Sequence, residues 1–255
     1  MLQITFLGTG TSQGIPVIGS THPVCKSDNV KDKRLRSSIL LNWKMFTYVI
    51  DCGPDFRYQM LRSNCDKING VFFTHEHSDH VAGLDDLRPF YFNQGELHVY
   101  AHKRVVENLK KRYDYIFDNK NKYPGIPVIN PINISNIPFN VNGLDIVPIN
   151  VYHNKLQVFG FRIKNFAYIT DMKTISVKEL KKLSNLDTLV LNCLRIEEHH
   201  SHLNLTEAIE LVEKINPKVC YFTHISHHLG FHEEVEKRLP KNIFLAYDEL
   251  SLTVS

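Results

Sequence analysis

The chain has 255 residues, 43% of them hydrophobic and 22% charged, with a net charge of +3. Such a chain can bury a sizeable core, and no apolar run reaches the roughly 20 residues of a membrane span, which excludes a disordered or membrane-embedded protein. The small charge excess demands neither nucleic acid nor an acidic membrane, and no leader-like segment opens the sequence, so the expectation is a cytoplasmic protein of one domain, residues 1–255.

Leu2–Leu7 alternates as a strand and runs into Gly8-Thr9-Gly10-Thr11-Ser12-Gln13-Gly14. These glycines do not match a dinucleotide fingerprint, no Lys-Ser/Thr follows, and no helical pattern opens after them. Small residues there instead let the backbone come close to a site. Strand patterns follow over Ser38–Leu41 and Phe46–Asp51, then a helical one over Asp55–Arg62. Asp51 ends an apolar run, where a carboxylate without a hydrogen-bond partner would be costly. The cysteines Cys25, Cys52, Cys65, Cys193 and Cys220 are odd in number and lack framework spacing. Cys52, Cys193 and Cys220 lie in or beside apolar runs and read as buried thiols.

The strand pattern Val71–Thr74 leads into Thr74-His75-Glu76-His77-Ser78-Asp79-His80, three imidazoles and a carboxylate at the rim of a sheet. His75 and His77, two apart in an extended segment, point to one side and can share an ion. Asp79 and His80 follow after a turn and face a second position. Nitrogen and oxygen donors suit zinc, manganese or iron, and the thiolates of a closed structural zinc site are missing.

Beyond the cluster, strand patterns fall at Leu97–Ala101, Leu144–Val151, Val158–Ile163, Phe166–Thr170, Thr188–Asn192, Val219–Thr223 and Ile243–Tyr247. Helical patterns fall at Lys103–Phe117, Ser176–Leu183, Leu205–Ile215, capped by Asn204 or Thr206, and Glu233–Leu239. Residues 119–138 are rich in Asn, Pro and Ile without periodicity and are expected to be loop. From His102 to Tyr123, Lys103, Arg104, Lys110, Lys111, Arg112, Lys120 and Lys122 outnumber Glu107, Asp114 and Asp118. A solvated helix face explains this better than a nucleic-acid patch. Two strand-rich halves flanked by helices predict a layered α/β sandwich. Two ions need more than four side chains, and three further strand ends deliver candidates: His153 after Tyr152, Asp171 after Thr170 and His224 after Thr223.

The H-x-H-x-D-H pattern of residues 75–80 resembles the signature of the metallo-β-lactamase superfamily. The opening strand with its glycine loop and Val49-Ile50-Asp51-Cys52-Gly53 resemble that superfamily's PhnP-like phosphodiesterase branch, a relative of the ribonuclease Z group. The resemblance spans roughly residues 2 to 254 and implies a four-layer αββα fold with metals at the common edge of the sheets. It implies that His75, His77 and His153 hold one ion, Asp79, His80 and His224 the other, and that Asp171 bridges them. Asp51 would orient ligands without binding metal. His202, in Glu197-Glu198-His199-His200-Ser201-His202, matches a histidine that assists departure of the leaving alkoxide, with His199 as the fallback.

Relatives carry cysteines for a structural zinc where this chain has Ser20, His22 and Cys25. His22, Cys25 and His227 leave such a site one ligand short, with His228 and His232 as substitutes, against a loop secured by hydrogen bonds alone. The implied chemistry is hydrolysis of a small phosphodiester, such as a cyclic phosphate of ribose or a nucleotide, by a hydroxide between two zinc or manganese ions, with iron also fitting. Ribonuclease Z-like RNA processing and thioester or lactam hydrolysis are the alternatives. Arg195 could meet a phosphate oxygen. A homodimer follows from analogy with related proteins, and no membrane partner is implied.

Overall fold

In the computed structural model, which describes residues 1–118 and 124–254, two sheets share one apolar interior. The first contains β1 (Leu2–Gly8), β2 (Ser38–Trp43), β3 (Phe46–Ile50), β4 (Gly70–Phe72), β5 (Leu97–His102) and β6 (Ile129–Ile134). The second contains β7 (Phe139–Val141), β8 (Leu144–His153), β9 (Leu156–Ile163), β10 (Phe166–Ile169), β11 (Thr174–Ile175), β12 (Thr188–Asn192), β13 (Val219–Thr223) and β14 (Ile243–Leu245). The chain then returns as β15 (Ser251–Val254), giving orders β15-β1-β2-β3-β4-β5-β6 and β11-β8-β9-β10-β12-β13-β14, with β7 paired to β8. Helices α1 (Phe56–Arg62), α2 (Ser78–Val81), α3 (Arg88–Gln94), α4 (Lys103–Arg112) and α5 (Asp114–Phe117) connect strands of the first sheet. Helices α6 (Val177–Leu180), α7 (Leu205–Ile215) and α8 (His232–Glu236) belong to the second.

Period-two alternation decides which side chains meet across the sheets. Leu2, Ile4 and Phe6 of β1, Ile39 and Leu41 of β2 and Phe72 of β4 pack against Phe159, Phe161, Phe166, Tyr168 and Val190 of the second sheet. The alternate residues Leu40, Val49, Val71 and Val99 turn outward onto Phe56, Phe90, Val105 and Leu109. On the far side Val151, Ile169, Leu191 and Phe222 pack with Ala208, Val212 and Val235. The layers are therefore helix, sheet, sheet, helix, the expected αββα order.

Within each sheet β3 to β6 and β10, β12, β13 and β14 run parallel along their shared pairings, so their C-terminal ends collect at one edge. Parallel pairing requires crossovers, and α1, α3, α4, α6, α7 and α8 lie in them. The sheets are joined at that edge by the Phe159 N–H donating to the Thr74 carbonyl at 3.0 Å. The glycine loop is joined there too, since Thr11 donates to the Ile225 carbonyl at 3.0 Å and Ile225 to the Thr9 carbonyl at 2.9 Å. At Gly8 a Cβ would fall 2.0 Å from the Arg36 carbonyl oxygen, which explains a small residue in this loop.

Several expectations need correcting. The stretch 119–138 is not all loop: Ile129–Ile134 forms edge strand β6, and residues 119–123, with Lys120 and Lys122, lie outside the described residues. Pro131 hides the alternation, and an edge position tolerates the donor it lacks. The single helix expected over Lys103–Phe117 divides at Tyr113, whose φ of −123° breaks the helical run between α4 and α5. The Glu233–Leu239 pattern is realised as His232–Glu236, and the short strands β7, β11 and β15 carry too few residues to show a period. Asn204 rather than Thr206 caps α7, in a capping box with Glu207. All five cysteines are free, and Cys52, Cys193 and Cys220 are buried as expected. No helix among the described residues is long and apolar enough to cross a membrane.

Phe72 sits in the middle of the inter-sheet core, its ring centroid 4.9 Å from Tyr100, 5.4 Å from Tyr48 and 5.7 Å from Phe161. Phe72→Ala is expected to cost about 3–5 kcal/mol in urea unfolding through cavity formation. A loss below about 1 kcal/mol would mean that the two sheets do not depend on this contact.

Candidate metal centre

Three of the strand ends at the shared edge finish in the same unusual way. Asp51 after β3, Asp171 after β10 and His224 after β13 have φ values of 64°, 57° and 55°. Left-handed backbone is uncommon outside glycine, though Asp and His adopt it more readily than most residues, and such strain concentrates at functional sites. Each of the three residues is buried, at 0%, 2% and 1% exposure respectively. From β4 the chain continues through Thr74 to His75 and His77, then enters α2 with Asp79 and His80. Gly53 permits this packing, because a Cβ there would lie 2.0 Å from the Asp79 carbonyl oxygen. His153 is the last residue of β8.

The predicted ligands converge from both sheets. Donor atoms of Asp79, His80, Asp171 and His224 lie within 4.8 Å of one another, and so do those of His75, His77 and Asp171. His153 falls in a third such group with Asp171 and His202. Its ring centroid lies 5.2 Å from that of His77 and 6.2 Å from that of His75. Asp171 belongs to every group. Its Oδ1 is 3.1 Å from His224 Nε2, and its Oδ2 is 3.5 Å from His80 Nε2 and 3.6 Å from His75 Nε2. Asp79 Oδ2 is 3.2 Å from His80 Nε2 and 3.6 Å from His224 Nε2. Ligands bound at roughly 2.1 Å in tetrahedral or octahedral array lie about 3.0–3.4 Å apart, close to these spacings.

The buried nitrogens facing this space lack hydrogen-bond partners: His75 Nε2, His80 Nε2 and His224 Nε2. Orphaned buried polar atoms are rare, and here they accompany an all-nitrogen-and-oxygen donor set, so the residues fit two divalent ions. The other ring nitrogens of three histidines are tied down. His80 Nδ1 meets Asp51 Oδ2 at 2.7 Å, His75 Nδ1 meets Thr74 Oγ1 at 3.0 Å, and His153 Nδ1 meets the Ser201 carbonyl at 3.0 Å. Such contacts fix ring orientation. Asp51 also accepts the Thr74 N–H and hydroxyl, both at 2.8 Å, so the buried carboxylate has the partners its position demands.

Electrostatics show what the cluster does without cations. Burial pushes the Asp171 carboxyl up, but His224 and His80 outweigh it and hold this group well below the usual carboxylate range. Burial also opposes charge on His80, yet Asp79, Asp171 and Asp51 raise it well above the ordinary histidine value. His75, dominated by burial and by repulsion from His80, falls well below it. The carboxylates thus favour positive charge at their centre, as they would favour a divalent cation.

His202 reaches the same centre from the loop before α7. Its ring lies 4.4 Å from His153 and 4.9 Å from His224, centroid to centroid. Burial, despite Asp171, pushes its imidazole down to about 2. His199 is 5.2 Å from His202, half-buried, with Nδ1 accepting the Ser201 N–H at 3.3 Å. Arg195 donates to the Glu197 and Glu198 carbonyls.

The second candidate set does not gather. Cys25 Sγ accepts the Val17 N–H at 3.5 Å, while the His22 ring lies 4.9 Å from His227 and 5.5 Å from His228. His22, Cys25 and His227 do not form a group with donors within 4.8 Å of one another. His232 is engaged elsewhere, with Nδ1 3.0 Å from Arg34 Nη2. Hydrogen bonds secure the segment instead: Asp32 accepts the Ser27 hydroxyl at 2.6 Å and the His232 N–H at 2.7 Å.

Supporting residues were harder to foresee. Thr170 donates to Asp171 Oδ1 at 2.7 Å, and Asn192 clasps the N–H and carbonyl of Met172 at 2.7 and 3.0 Å. A repeated signal pointed to the threonines, since Thr74, Thr170 and Thr223 each precede a candidate ligand. Nothing local in the sequence marks Asn192.

A family described as Beta-lactamase superfamily domain matches residues 47–225. The crystal structure of a diphosphatase from the PhnP family superposes with a TM-score of 0.94 at 35% identity, covering 100% of this chain and 98% of that one. An octanoyltransferase of Porphyromonas gingivalis is 38% identical over 256 residues, which is 99% of this chain and 52% of that protein. A ribonuclease Z of Bacillus licheniformis is 28% identical over 74% of this chain and 60% of its own length. The chain thus spans little more than half the length of these curated relatives.

Asp51 touches a candidate ligand whereas Asp171 lies among all of them. Asp51→Asn is expected to weaken metal binding about 10–100-fold while full occupancy is still reached on titration, and Asp171→Asn to prevent two ions from being retained. Elemental analysis after titration checks this, and equal losses in both variants would abolish the distinction.

Proposed function

The chain belongs to the metallo-β-lactamase superfamily and, within it, to the PhnP family, and from that premise we propose that it is a dinuclear metal-dependent phosphodiesterase acting on a small diester. His75, His77 and His153 would hold one ion, Asp79, His80 and His224 the other, and Asp171 would serve both. Two divalent ions supply Lewis acidity and an activated water at neutral pH. The chain's own residues arrange the rest. Asp51 and Thr74 fix His80 and His75, Thr170 orients Asp171, and the two sheets exclude water from below.

The observation that carries the reading is His202, a buried imidazole seated between His153 and His224. An alkoxide leaving a phosphorus centre needs a proton or a strong hydrogen bond, and the ring N–H of His202 provides the donor where the departing oxygen would emerge. Thiolate or lactam leaving groups need it less. The octanoyltransferase name describes a protein with nearly as much chain again outside the match, so acyl transfer ranks lower. A second reading, cleavage of a substituted diphosphate, is favoured by the diphosphatase relative, since each phosphorus of a disubstituted diphosphate carries two substituted oxygens, as in a diester. Processing of RNA ends ranks below both, because the ribonuclease Z relative extends well beyond the matched region.

Protein loaded with zinc or manganese is expected to hydrolyse bis(p-nitrophenyl) phosphate, with activity lost on chelation and in Asp171→Ala. No turnover with both ions demonstrably bound would reject the reading. His202→Ala should keep two ions and lower kcat about 10²–10⁴-fold on a diester with an alkyl leaving group, but far less on the p-nitrophenyl ester. An equal loss on both, or loss of an ion, would make His202 a ligand instead of a proton donor.

A further inference from the structure

One ion of the centre depends on two stretches of chain that belong to different sheets. On the proposed assignment its ligands are His75 and His77, which follow β4 of the first sheet, and His153, which closes β8 of the second. β8 turns into β9 at that point, so that His153 pairs with Leu156 and Tyr152 with Gln157. A ligand set divided in this way keeps its spacing only if the two stretches are held at a fixed distance. The Phe159 N–H on the Thr74 carbonyl, at 3.0 Å, is one link. Arg104, the second residue of α4, makes another.

Arg104 Nε donates to Glu76 Oε1 at 2.8 Å and Nη2 to Glu76 Oε2 at 3.1 Å, and Nη2 also donates to the Gln157 carbonyl at 2.6 Å. Glu76 stands between His75 and His77, and Gln157 lies across from the residue before His153. One guanidinium therefore touches both stretches that supply the ligands of this ion. A cation in the first turn of a helix opposes the helix dipole, so helix formation gives no reason for an arginine here. Its backbone is nevertheless fixed, since His102 Nδ1 accepts the Arg104 N–H at 3.2 Å and the His102 ring stands edge-on to Phe159 of β9, with centroids 5.6 Å apart. The fork occupies both carboxylate oxygens of Glu76, and Glu76 belongs to none of the groups of candidate ligands among the described residues.

We propose that Arg104 is a positioning residue for the ion of His75, His77 and His153, a strut that sets the distance between the histidine motif and the turn from β8 to β9 through Glu76 and the Gln157 carbonyl. The inference rests on the dinuclear reading for its division of the ligands. It makes the two ions unequal in what they depend on. Asp79 and His80 sit on α2, with His80 fixed by Asp51, and the residue after His224 is bound to the glycine loop. None of those contacts involves Arg104. A guanidinium suits the task because its rigid plane offers two N–H groups to a carboxylate and a third to a carbonyl, which an ammonium on a flexible stem does not.

The test is zinc affinity, measured by competition with a chromophoric chelator, in two backgrounds that each leave one ion. His224→Ala keeps the ion of His75, His77 and His153, and His153→Ala keeps the other. Adding Arg104→Gln is expected to weaken zinc about 10–100-fold in the His224→Ala protein, the usual effect of removing a group that orients ligands, and less than about twofold in the His153→Ala protein. In the otherwise unchanged chain, Arg104→Gln should give up one ion of two at a chelator concentration that the wild type withstands, and Arg104→Lys should recover part of the loss. The thermal midpoint of the metal-free protein should fall by no more than about 4 °C, because an ion pair whose arginine is 35% exposed adds little to folding. Equal weakening in both backgrounds, as a general loosening of the fold would give, weakening confined to the His153→Ala protein, or none in either would overturn the proposal. Wild-type stoichiometry separates the strut from the two-ion reading. A single retained ion that Arg104→Gln weakens removes that reading and leaves the strut, and two retained ions indifferent to Arg104 do the reverse.

Discussion

Three carboxylates, Asp51, Asp79 and Asp171, are packed into one sheet edge with exposures of 0%, 13% and 3% for Asp51, Asp79 and Asp171 side chains. Negative charge held out of water must be compensated, and every notable feature of the edge supplies compensation. Asp51 receives an N–H, a hydroxyl and an imidazole. Asp171 and Asp79 receive imidazoles whose facing nitrogens find no conventional hydrogen bond. That difference separates the roles. Asp51 is satisfied by the protein alone, while the other two remain electrostatically unfinished until cations arrive.

The fold meets this demand by placing strand ends. Parallel strands from two sheets end on one side, and the chain turns sharply at each end through left-handed backbone at Asp51, Asp171 and His224. The turn makes room for the side chain beneath the rim, where the opposing sheet shields it. Threonines just before the ligands reinforce the arrangement, with Thr74 and Thr170 bonded to Asp51 and Asp171 respectively. Strain at these positions is sustained because the inter-sheet core around Phe72, Phe161 and Tyr168 holds both sheets in place.

The rim above the centre is shaped by elements outside the ligand set. The loop before α7 brings His202 and the Ser201 carbonyl to His153, and Asn204 fixes where that loop ends through its capping box with Glu207. The glycine loop reaches the residue after His224 through paired backbone hydrogen bonds. Helix α4 meets the histidine motif through Arg104 on Glu76 and Arg112 on Ser78. A centre of this kind serves many electrophiles, so these neighbours rather than the metals carry the choice of substrate.

The spacing of His75, His77, Asp79 and His80 determined the metal site and its nitrogen and oxygen chemistry, because the ligands lie within six residues and local backbone geometry places them together. Long alternating strands such as β1 and β9, and the capped helix α7, could be read for the same reason: their periods are local. Resemblance extended this to His153, Asp171 and His224, whose shared destination no local pattern contains. Tertiary structure alone decided that β6 is an edge strand despite Pro131, that Cys25 Sγ accepts the Val17 N–H, and that His202 is buried beside His153 and His224. It alone brought Asn192 to Met172 and Arg112 to Ser78. Those outcomes depend on contacts between residues distant along the chain and on solvent exclusion, neither of which a local period or a short motif encodes.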